Sequence, residues 1–214
     1  MYQLYYSPGA ASMMIHVALL EAGAPHELIL VDIEKGQQKQ PEYLKLNPDG
    51  VVPTLLVDGQ PWRECAALLL MLAERHPESG LWPAQREQQL RWREWLLAMN
   101  QNLHATLRFW FYPQELGHSA HPPEVSAALQ NKIAIFLDKT EAHLNQHGPY
   151  LLGEQFSGID LYLTMLMRWT RNMPRPATNW PALNQYVQRI TSRPSWKKMM
   201  EIEAVDPWPR NSPI

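Results

Sequence analysis

The 214-residue chain is poor in cysteine and carries no large excess of charge of either sign. Its one cysteine, Cys65, excludes a disulfide within the chain and argues against a zinc site built from cysteines. The formal net charge of -2 provides no basic excess that would attract a nucleic-acid backbone. We therefore expect neither a disulfide-stapled fold nor a nucleic-acid partner.

Long apolar runs are also lacking. The longest run, residues 66–73, is far shorter than the roughly 20 residues that a membrane-spanning helix needs. The first residues, MYQLYYSPGAAS, contain neither the basic region nor the apolar segment of a signal peptide. These observations predict a cytoplasmic protein without a membrane partner.

The residues that are present form two parts, and the first alternates between strand and helix patterns. A DG dipeptide between two short runs is typical of a β-hairpin. The order βαβ followed by ββα predicts an α/β domain over residues 1–77 with a mixed four-stranded sheet. Its predicted elements are a strand at residues 2–6, a helix at 12–22, a strand at 28–31, a hairpin at 54–63 and a helix at 65–76.

The second part contains no convincing strand and predicts an all-α domain over residues 85–214, after a linker at residues 78–84. Ser157 and Asp160 have the spacing of a capping box at the start of one of its helices. The predicted helices cover residues 85–112, 124–147, 158–172 and 181–192.

One passage of the first part identifies a family. Residues 47–55 read NPDGVVPTL, and they are followed by Asp58-Gly59 and by Glu64-Cys65 at the start of an apolar helix. An NPxG sequence alone would indicate only a turn. The ordered set is similar to the glutathione-binding core of cytosolic glutathione transferases, and residues 156–160, FSGID, resemble the core of that family's second domain. The resemblance implies a thioredoxin-like glutathione-binding domain followed by an all-helical substrate domain.

The chain resembles the bacterial beta class of this family most, with two departures. Residues 6–12, YSPGAAS, are similar to the YxPGACS of that class, and residues 103–107, LHATL, to its LHKxF. The class cysteine is Ala11 here, and the class lysine is Ala105. A mixed disulfide with glutathione therefore cannot form at position 11, and we do not expect thiol-transfer chemistry there.

The resemblance implies where glutathione would bind. The Val52-Pro53 peptide bond is expected to be cis, and the backbone of Val52 to pair with the cysteinyl part of glutathione as an added strand. The alternative is a turn proline with a structural role only. The backbone N–H of Cys65, at a helix start, would bind the γ-glutamyl carboxylate, and Glu64 would bind the γ-glutamyl amine. Three further residues complete the predicted glutathione site: Tyr6, Ile33 and, opposite the glycyl carboxylate, Lys35.

Ser12 and His104 are the predicted catalytic residues. A glutathione thiol with a pKa near about 8.5 must become a thiolate to attack an electrophile. The Ser12 hydroxyl could donate a hydrogen bond to that thiolate, with support from the positive end of its helix. The alternatives are that Ser12 only caps the helix, or that Tyr5 or Tyr6 supplies the hydroxyl. His104 would orient the sulfur or a water, unless its role is structural.

The predicted function is conjugation of the glutathione thiolate, as co-substrate, to a small apolar electrophile in a homodimer. The electrophile pocket is predicted at Ala11, Phe111, Tyr112 and Trp169. His143 and His147 lie four residues apart but have no third ligand, so no metal is expected. Two alternatives are a non-catalytic binding protein of the same fold and a glutathione-dependent peroxidase.

Overall fold

The computed structural model describes residues 1–209, and its contacts form two compact units. The first unit comprises residues 1–84 together with the segment that begins at Thr191, and the second comprises Gln85–Ile190. No helix among the described residues is long and apolar enough to cross a membrane.

The first unit is built on a mixed four-stranded sheet, as predicted. The strands are β1 (Tyr2–Tyr6), β2 (His26–Leu30), β3 (Thr54–Val57) and β4 (Gln60–Trp62), and the helices are α1 (Ser12–Glu21), α2 (Pro41–Leu44) and α3 (Cys65–Arg75). The central strand β1 pairs in parallel with β2, placing Tyr2 opposite His26, and antiparallel with β3, placing Leu4 opposite Leu55. The strand order is β2-β1-β3-β4.

The predicted hairpin is confirmed between β3 and β4. Asp58 and Gly59 have backbone φ angles of 52° and 82°, the left-handed conformation at both central positions that a tight type I′ turn requires. Asp58 adopts this conformation as an aspartate, a residue type that tolerates it better than most. The hairpin places β3 beside the central strand.

The helix α1 lies at the centre of the first unit. Its residues from Ser12 to Leu19 are all buried, and it contacts β1, α3 and the C-terminal helix α9 (Pro194–Ile202). Just before α9 begins, Arg193 forms a bidentate ion pair with Glu21, in which Nε and Nη2 donate to the two carboxylate oxygens at 2.6 and 2.8 Å. The sequence analysis assigned residues 85–214 to one helical domain and included no helix at 194–202. The described residues from 191 onward instead group with the first unit, because α9 packs on α1.

The second unit is entirely helical. Its helices are α4 (Arg86–Ala98), α5 (Ala105–Phe111), α6 (Pro123–His147), α7 (Gly158–Trp169) and α8 (Pro181–Thr191). The first predicted helix, at residues 85–112, consists of α4, one π-helical stretch at Met99–His104, and α5. The capping box is confirmed, since Ser157 N–H donates to the Asp160 carboxylate at 2.7 Å. All residues of α7 from Gly158 to Arg168 are buried, which makes this helix the core of the unit.

Candidate active site

The loop between β1 and α1 is closed by the side chain of Ser12. The Ser12 hydroxyl donates to the Ser7 carbonyl at 3.1 Å and accepts from the Ser7 N–H at 3.1 Å. It has no exposed surface. Its one proton is given to Ser7 in this arrangement. The predicted hydrogen bond from Ser12 to a thiolate stays a prediction. Ser12 is not the N-cap, because Ala11 occupies that position.

The backbone at the start of α1 is nevertheless open. Ala10 N–H bonds to the Ser7 carbonyl and Met13 N–H bonds to the Ala10 carbonyl, each at 3.1 Å. Between them, the N–H groups of Ala11 and Ser12 make no hydrogen bond within residues 1–209. Together with the positive end of the helix dipole, these two groups can receive an anion.

The segment around Val52 is held from one side only. Val51 C=O accepts hydrogen bonds from Tyr43 Oη at 2.7 Å and from Asn47 Nδ2 at 2.8 Å, so the NPDG turn fixes the residue before Val52. The Val52-Pro53 bond is cis, as predicted. Neither backbone polar group of Val52 makes a hydrogen bond within the described chain. An extended peptide could therefore pair with it.

Glu64 and Cys65 form the start of α3. Glu64 is the N-cap, with a left-handed φ of 68° and an exposed side chain. The first intrahelical bond runs from Leu68 N–H to Glu64 C=O at 2.9 Å, so the N–H groups of Cys65 and Ala66 precede the helical ladder. This helix end can accept a carboxylate, as the resemblance implied.

The Cys65 thiol faces inward. It donates to the Ala11 carbonyl at 3.1 Å and is buried. Burial, and then the negative charge of Glu64, raise its pKa, so the thiol stays protonated at neutral pH. Cys65 is therefore not positioned as a redox thiolate. Its contact with Ala11 instead joins the start of α3 to the start of α1.

Two lysines lie in the loop after β2, where one was predicted to meet a carboxylate. Lys35 Nζ pairs with Asp32 at 2.8 Å in an exposed ion pair, a type that contributes little to stability. Lys39 Nζ instead donates to the Asp49 carbonyl at 3.0 Å, within the NPDG turn. Ile33 C=O accepts from Gln38 Nε2 at 3.3 Å. The structure thus brings Lys39 to the Val52 segment, a placement that the sequence analysis missed.

Tyr6 ends β1, and its ring lies 6.4 Å from that of His16 on α1. Burial, and then the charge of Glu203, raise the pKa of Tyr6, so its hydroxyl stays protonated. Glu203 follows α9 and accepts from the Gly9 N–H at 3.1 Å. The sequence analysis missed both His16 and Glu203, and no local pattern could have paired residues 187 positions apart.

Three of the predicted residues in the second unit form one aromatic cluster. The His104 ring lies 5.2 Å from the Trp169 ring, and Phe111 lies 6.3 Å from Trp169 in an edge contact. Tyr112 does not join them, because its exposed ring lies under Arg108 at 5.2 Å. The unit therefore assembles His104, Phe111 and Trp169 but not Tyr112.

His104 is neutral at physiological pH. Its Nδ1 donates to Tyr162 Oη at 2.5 Å, because that hydroxyl donates its own proton to Asn100 Oδ1 at 2.9 Å. Burial, and then the positive charge of Arg108, lower the pKa of His104 to about 4. This leaves Nε2 as a hydrogen-bond acceptor and a weak base. Tyr162 and Asn100, which fix the imidazole, were missed as partners.

His143 and His147 lie four residues apart on α6. His143 Nε2 lies 3.0 Å from the Leu151 carbonyl, and the two rings of His143 and His147 are 5.0 Å apart. No group of three potential metal ligands occurs among residues 1–209.

The chain is similar to glutathione transferases over both units. The family model "Glutathione S-transferase, N-terminal domain" matches residues 10–75, and "Glutathione S-transferase, C-terminal domain" matches residues 103–202. A glutathione S-transferase of Xanthomonas campestris pv. campestris is 29% identical over 212 residues, or 95% of this chain and 100% of the relative. The glutathione S-transferase GstA of Escherichia coli O157:H7 is 28% identical over 206 residues, or 95% and 99%.

Solved structures show the same likeness. A glutathione transferase from Methylococcus capsulatus superposes with a TM-score of 0.85 at 31% identity, covering 95% of this chain and 99% of that one. A glutathione transferase homolog from Sulfitobacter, crystallised with bound glutathione, has a TM-score of 0.86 at 27% identity, covering 96% and 99%.

Proposed function

The chain belongs to the glutathione S-transferase family, and we propose that it joins the thiolate of glutathione to small apolar electrophiles. It is a transferase by its homology over both units. The observation that carries the site proposal is a set of unbonded backbone groups, at Val52 and at the starts of α1 and α3. All of them lie within residues 10–75, the range that the N-terminal family model matches.

Glutathione would lie across these groups in an extended conformation. Its cysteinyl backbone pairs with Val52, and its γ-glutamyl carboxylate accepts from the N–H groups of Cys65 and Ala66. The exposed Glu64 carboxylate receives the γ-glutamyl amine. Lys39, already bonded to Asp49, is the better placed partner for the glycyl carboxylate, with Lys35 as the alternative.

The thiolate would be stabilised by backbone rather than by the Ser12 hydroxyl. The Cys65 contact at 3.1 Å joins the starts of α1 and α3, so two positive helix ends meet beside Ala11. Lowering a thiol pKa by one unit requires about 1.4 kcal/mol, which two amide hydrogen bonds and a helix end can supply. Ser12 then acts by holding the loop that carries these amides. The roles of Tyr6, His104 and the aromatic cluster toward substrates stay predictions.

Ser12→Ala separates these two roles of the hydroxyl. We expect the free energy of unfolding to fall by about 1–2 kcal/mol, because two buried hydrogen bonds to Ser7 are lost. The pKa of the bound thiol, read from thiolate absorbance, should rise by less than about one unit because the amides of Ala11 and Ser12 remain. Calorimetric titration with glutathione should precede these measurements. Ser12→Thr, which keeps the hydroxyl, is the control variant.

Other outcomes have distinct meanings. A thiol pKa raised by about two units or more, with unchanged stability, would make Ser12 the direct donor. The absence of glutathione binding by the wild-type chain would favour a non-catalytic binding protein. Turnover of peroxides without conjugation of electrophiles would favour the peroxidase.

The homodimer is also a proposal, and a groove in the second unit supports it. The groove lies between α4 and α6, has a volume of about 970 Å³, and includes Trp95, Ile135 and Phe136. Ile135 is 47% exposed, and Leu90 and Leu97, seven residues apart on α4, are 62% and 64% exposed. A second copy of the chain would cover this apolar surface, since such surface on both helices is costly to leave in water.

Ile135→Asp should convert the dimer to a monomer. Burying the aspartate carries a desolvation cost that Lys132 and Lys139, three and four residues away on the same helix, offset only in part, so we expect the dimer dissociation constant to rise by about tenfold or more. Sedimentation at several concentrations measures this change. Leu116→Asp, at an exposed leucine outside the groove, is the matched control and should leave the mass unchanged.

A further inference from the structure

The buried carboxylate of Glu203, at the end of α9, contacts the loop of residues 7–11 between β1 and α1. Glu203 and His16 side chains have no exposed surface, and Glu203 Oε1 lies 2.9 Å from His16 Nδ1. The other oxygen, Oε2, accepts the Gly9 N–H at 3.1 Å. One carboxylate thus connects α9, α1 and the loop of residues 7–11.

The setting of this pair is almost free of other polar partners. His16 Nε2 is buried and makes no hydrogen bond within residues 1–209. The rings of Tyr6 and His26 flank His16 at 6.4 and 5.6 Å, and His26 itself bonds to the Ala24 carbonyl at 2.8 Å. Burial lowers the pKa of His26, and His16 and Lys198 on α9 lower it further, against the opposing effect of the bond to Ala24. A buried carboxylate is costly unless it is hydrogen-bonded, and Glu203 uses both of its oxygens for this, one with His16 and one with Gly9.

Two properties of Gly9 explain what the carboxylate can do. Gly9 has a left-handed φ of 70°, so the loop turns sharply there. The hydrogen bond from the Gly9 N–H to Glu203 fixes that turn, and the two hydrogen bonds between Ser12 and Ser7 close the loop at its ends. The amides of Ala11 and Ser12 follow directly, and their direction depends on the turn.

We propose that Glu203 is a positioning residue for the glutathione thiol: it anchors Gly9, and its 2.9 Å hydrogen bond with His16 holds the carboxylate in place. The proposal rests on the proposed function. Without the hydrogen bond from Glu203, the loop would sample other conformations and the two amides would no longer point at one sulfur position. Without His16, one oxygen of the buried Glu203 side chain would lose its hydrogen-bond partner, and its hold on Gly9 would weaken.

The test compares Glu203→Ala with Glu203→Gln, and Glu201→Gln serves as an exposed control on the same helix. Glutamine keeps an oxygen for Gly9 and an amide for His16, so it should rescue what alanine loses. In Glu203→Ala we expect amide hydrogen exchange of residues 7–11 to rise by about tenfold or more, with residues 13–20 unchanged. We expect kcat/KM for conjugation to fall by about tenfold, and Glu203→Gln to stay within about threefold of wild type.

A His16→Ala variant gives a second readout. It leaves Glu203 Oε1 buried without its hydrogen-bond partner while Oε2 can still accept from Gly9, so loop exchange should rise, but less than in Glu203→Ala. Equal loop protection in Glu203→Ala and wild type would overturn the proposal, as would glutamine and alanine variants that lose activity equally. If the wild-type chain binds no glutathione but the loop exchanges faster in Glu203→Ala, Glu203 remains the loop anchor and only the proposed function is overturned.

Discussion

Glu64→Gly is expected to stabilise the fold by about 1 kcal/mol while weakening glutathione binding by about 10- to 100-fold. Glu64 holds a φ of 68° at the start of α3, a conformation that a residue with a Cβ adopts at a cost and glycine adopts freely. Its carboxylate is exposed and makes no hydrogen bond or ion pair within residues 1–209, so its loss removes no contact of the folded chain. What is lost is the proposed charged partner of the γ-glutamyl amine.

Two matched variants separate the backbone effect from the side-chain effect. Glu64→Ala removes the carboxylate but keeps the strained φ, so it should weaken binding to the same degree without a gain in stability. Glu64→Gln keeps the size and should weaken binding less. Denaturant unfolding and calorimetric titration measure the two quantities. Unchanged glutathione affinity in both the glycine and alanine variants would remove Glu64 from the site.

This pairing of strain and exposure is informative about the site as a whole. Glu64 has a positive φ at a position where glycine would make the fold more stable. Strained residues other than glycine concentrate at functional positions. The neighbouring amides of Cys65 and Ala66 precede the helical ladder. The strained backbone of Glu64 therefore supports the proposal that the start of α3 binds glutathione.

Local sequence patterns were sufficient for most of the first unit. β1 and β3 have the predicted bounds, and the DG dipeptide formed the expected tight turn. These features depend on residues within about ten positions of each other, where turn chemistry and apolar periodicity act directly. The same holds for the capping box of α7, which is set by residues three apart.

Long-range contacts explain what the sequence did not reveal. α9 begins at Pro194 and spans only nine residues, and the segment is held by an ion pair of Arg193 with Glu21, residues 172 positions apart. Lys39 rather than Lys35 meets the NPDG turn because the loop after β2 folds back by a 3₁₀ turn at Gln37–Lys39. The Ser12 hydroxyl bonds to Ser7 because the loop turns at Gly9. Side-chain direction in such loops is set by tertiary contacts that periodicity does not encode.

Asp160→Ala should lower the free energy of unfolding by about 3–5 kcal/mol. Asp160 has no exposed surface, and its carboxylate accepts from the N–H groups of Leu151 and Ser157 at 3.0 and 2.7 Å. It also accepts from the hydroxyls of Ser157 and Tyr186 at 3.2 and 2.9 Å. Alanine would leave these donors buried without an acceptor, each at a cost of about 1–3 kcal/mol. Tyr186→Phe removes one of the bonds and should cost only about 1 kcal/mol, as measured by the same denaturant unfolding.

The pH dependence gives an independent check on Asp160. Burial raises the pKa of its carboxyl from 3.8 to about 6, against the opposing effect of the four hydrogen bonds. Because the folded chain then binds a proton that the unfolded chain lacks, its contribution to stability is full below about pH 4 and is lost as the pH rises through about 6. The difference in unfolding free energy between wild type and Asp160→Asn should therefore be larger at pH 4 than at pH 7.5 by roughly 3 kcal/mol.

The comparison of wild type with Asp160→Asn also removes the competing contribution of His104 to the pH dependence of stability. The pKa of His104 is lowered to about 4, so its protonation in the unfolded chain destabilises the fold as the pH falls from about 6.5 to 4. That slope opposes the slope of Asp160 and would mask it in the wild-type curve alone. Both proteins keep His104, so its contribution cancels in the difference. A difference that stays constant from pH 4 to 7.5 would mean that Asp160 is ionised throughout, and that its hydrogen bonds outweigh its burial.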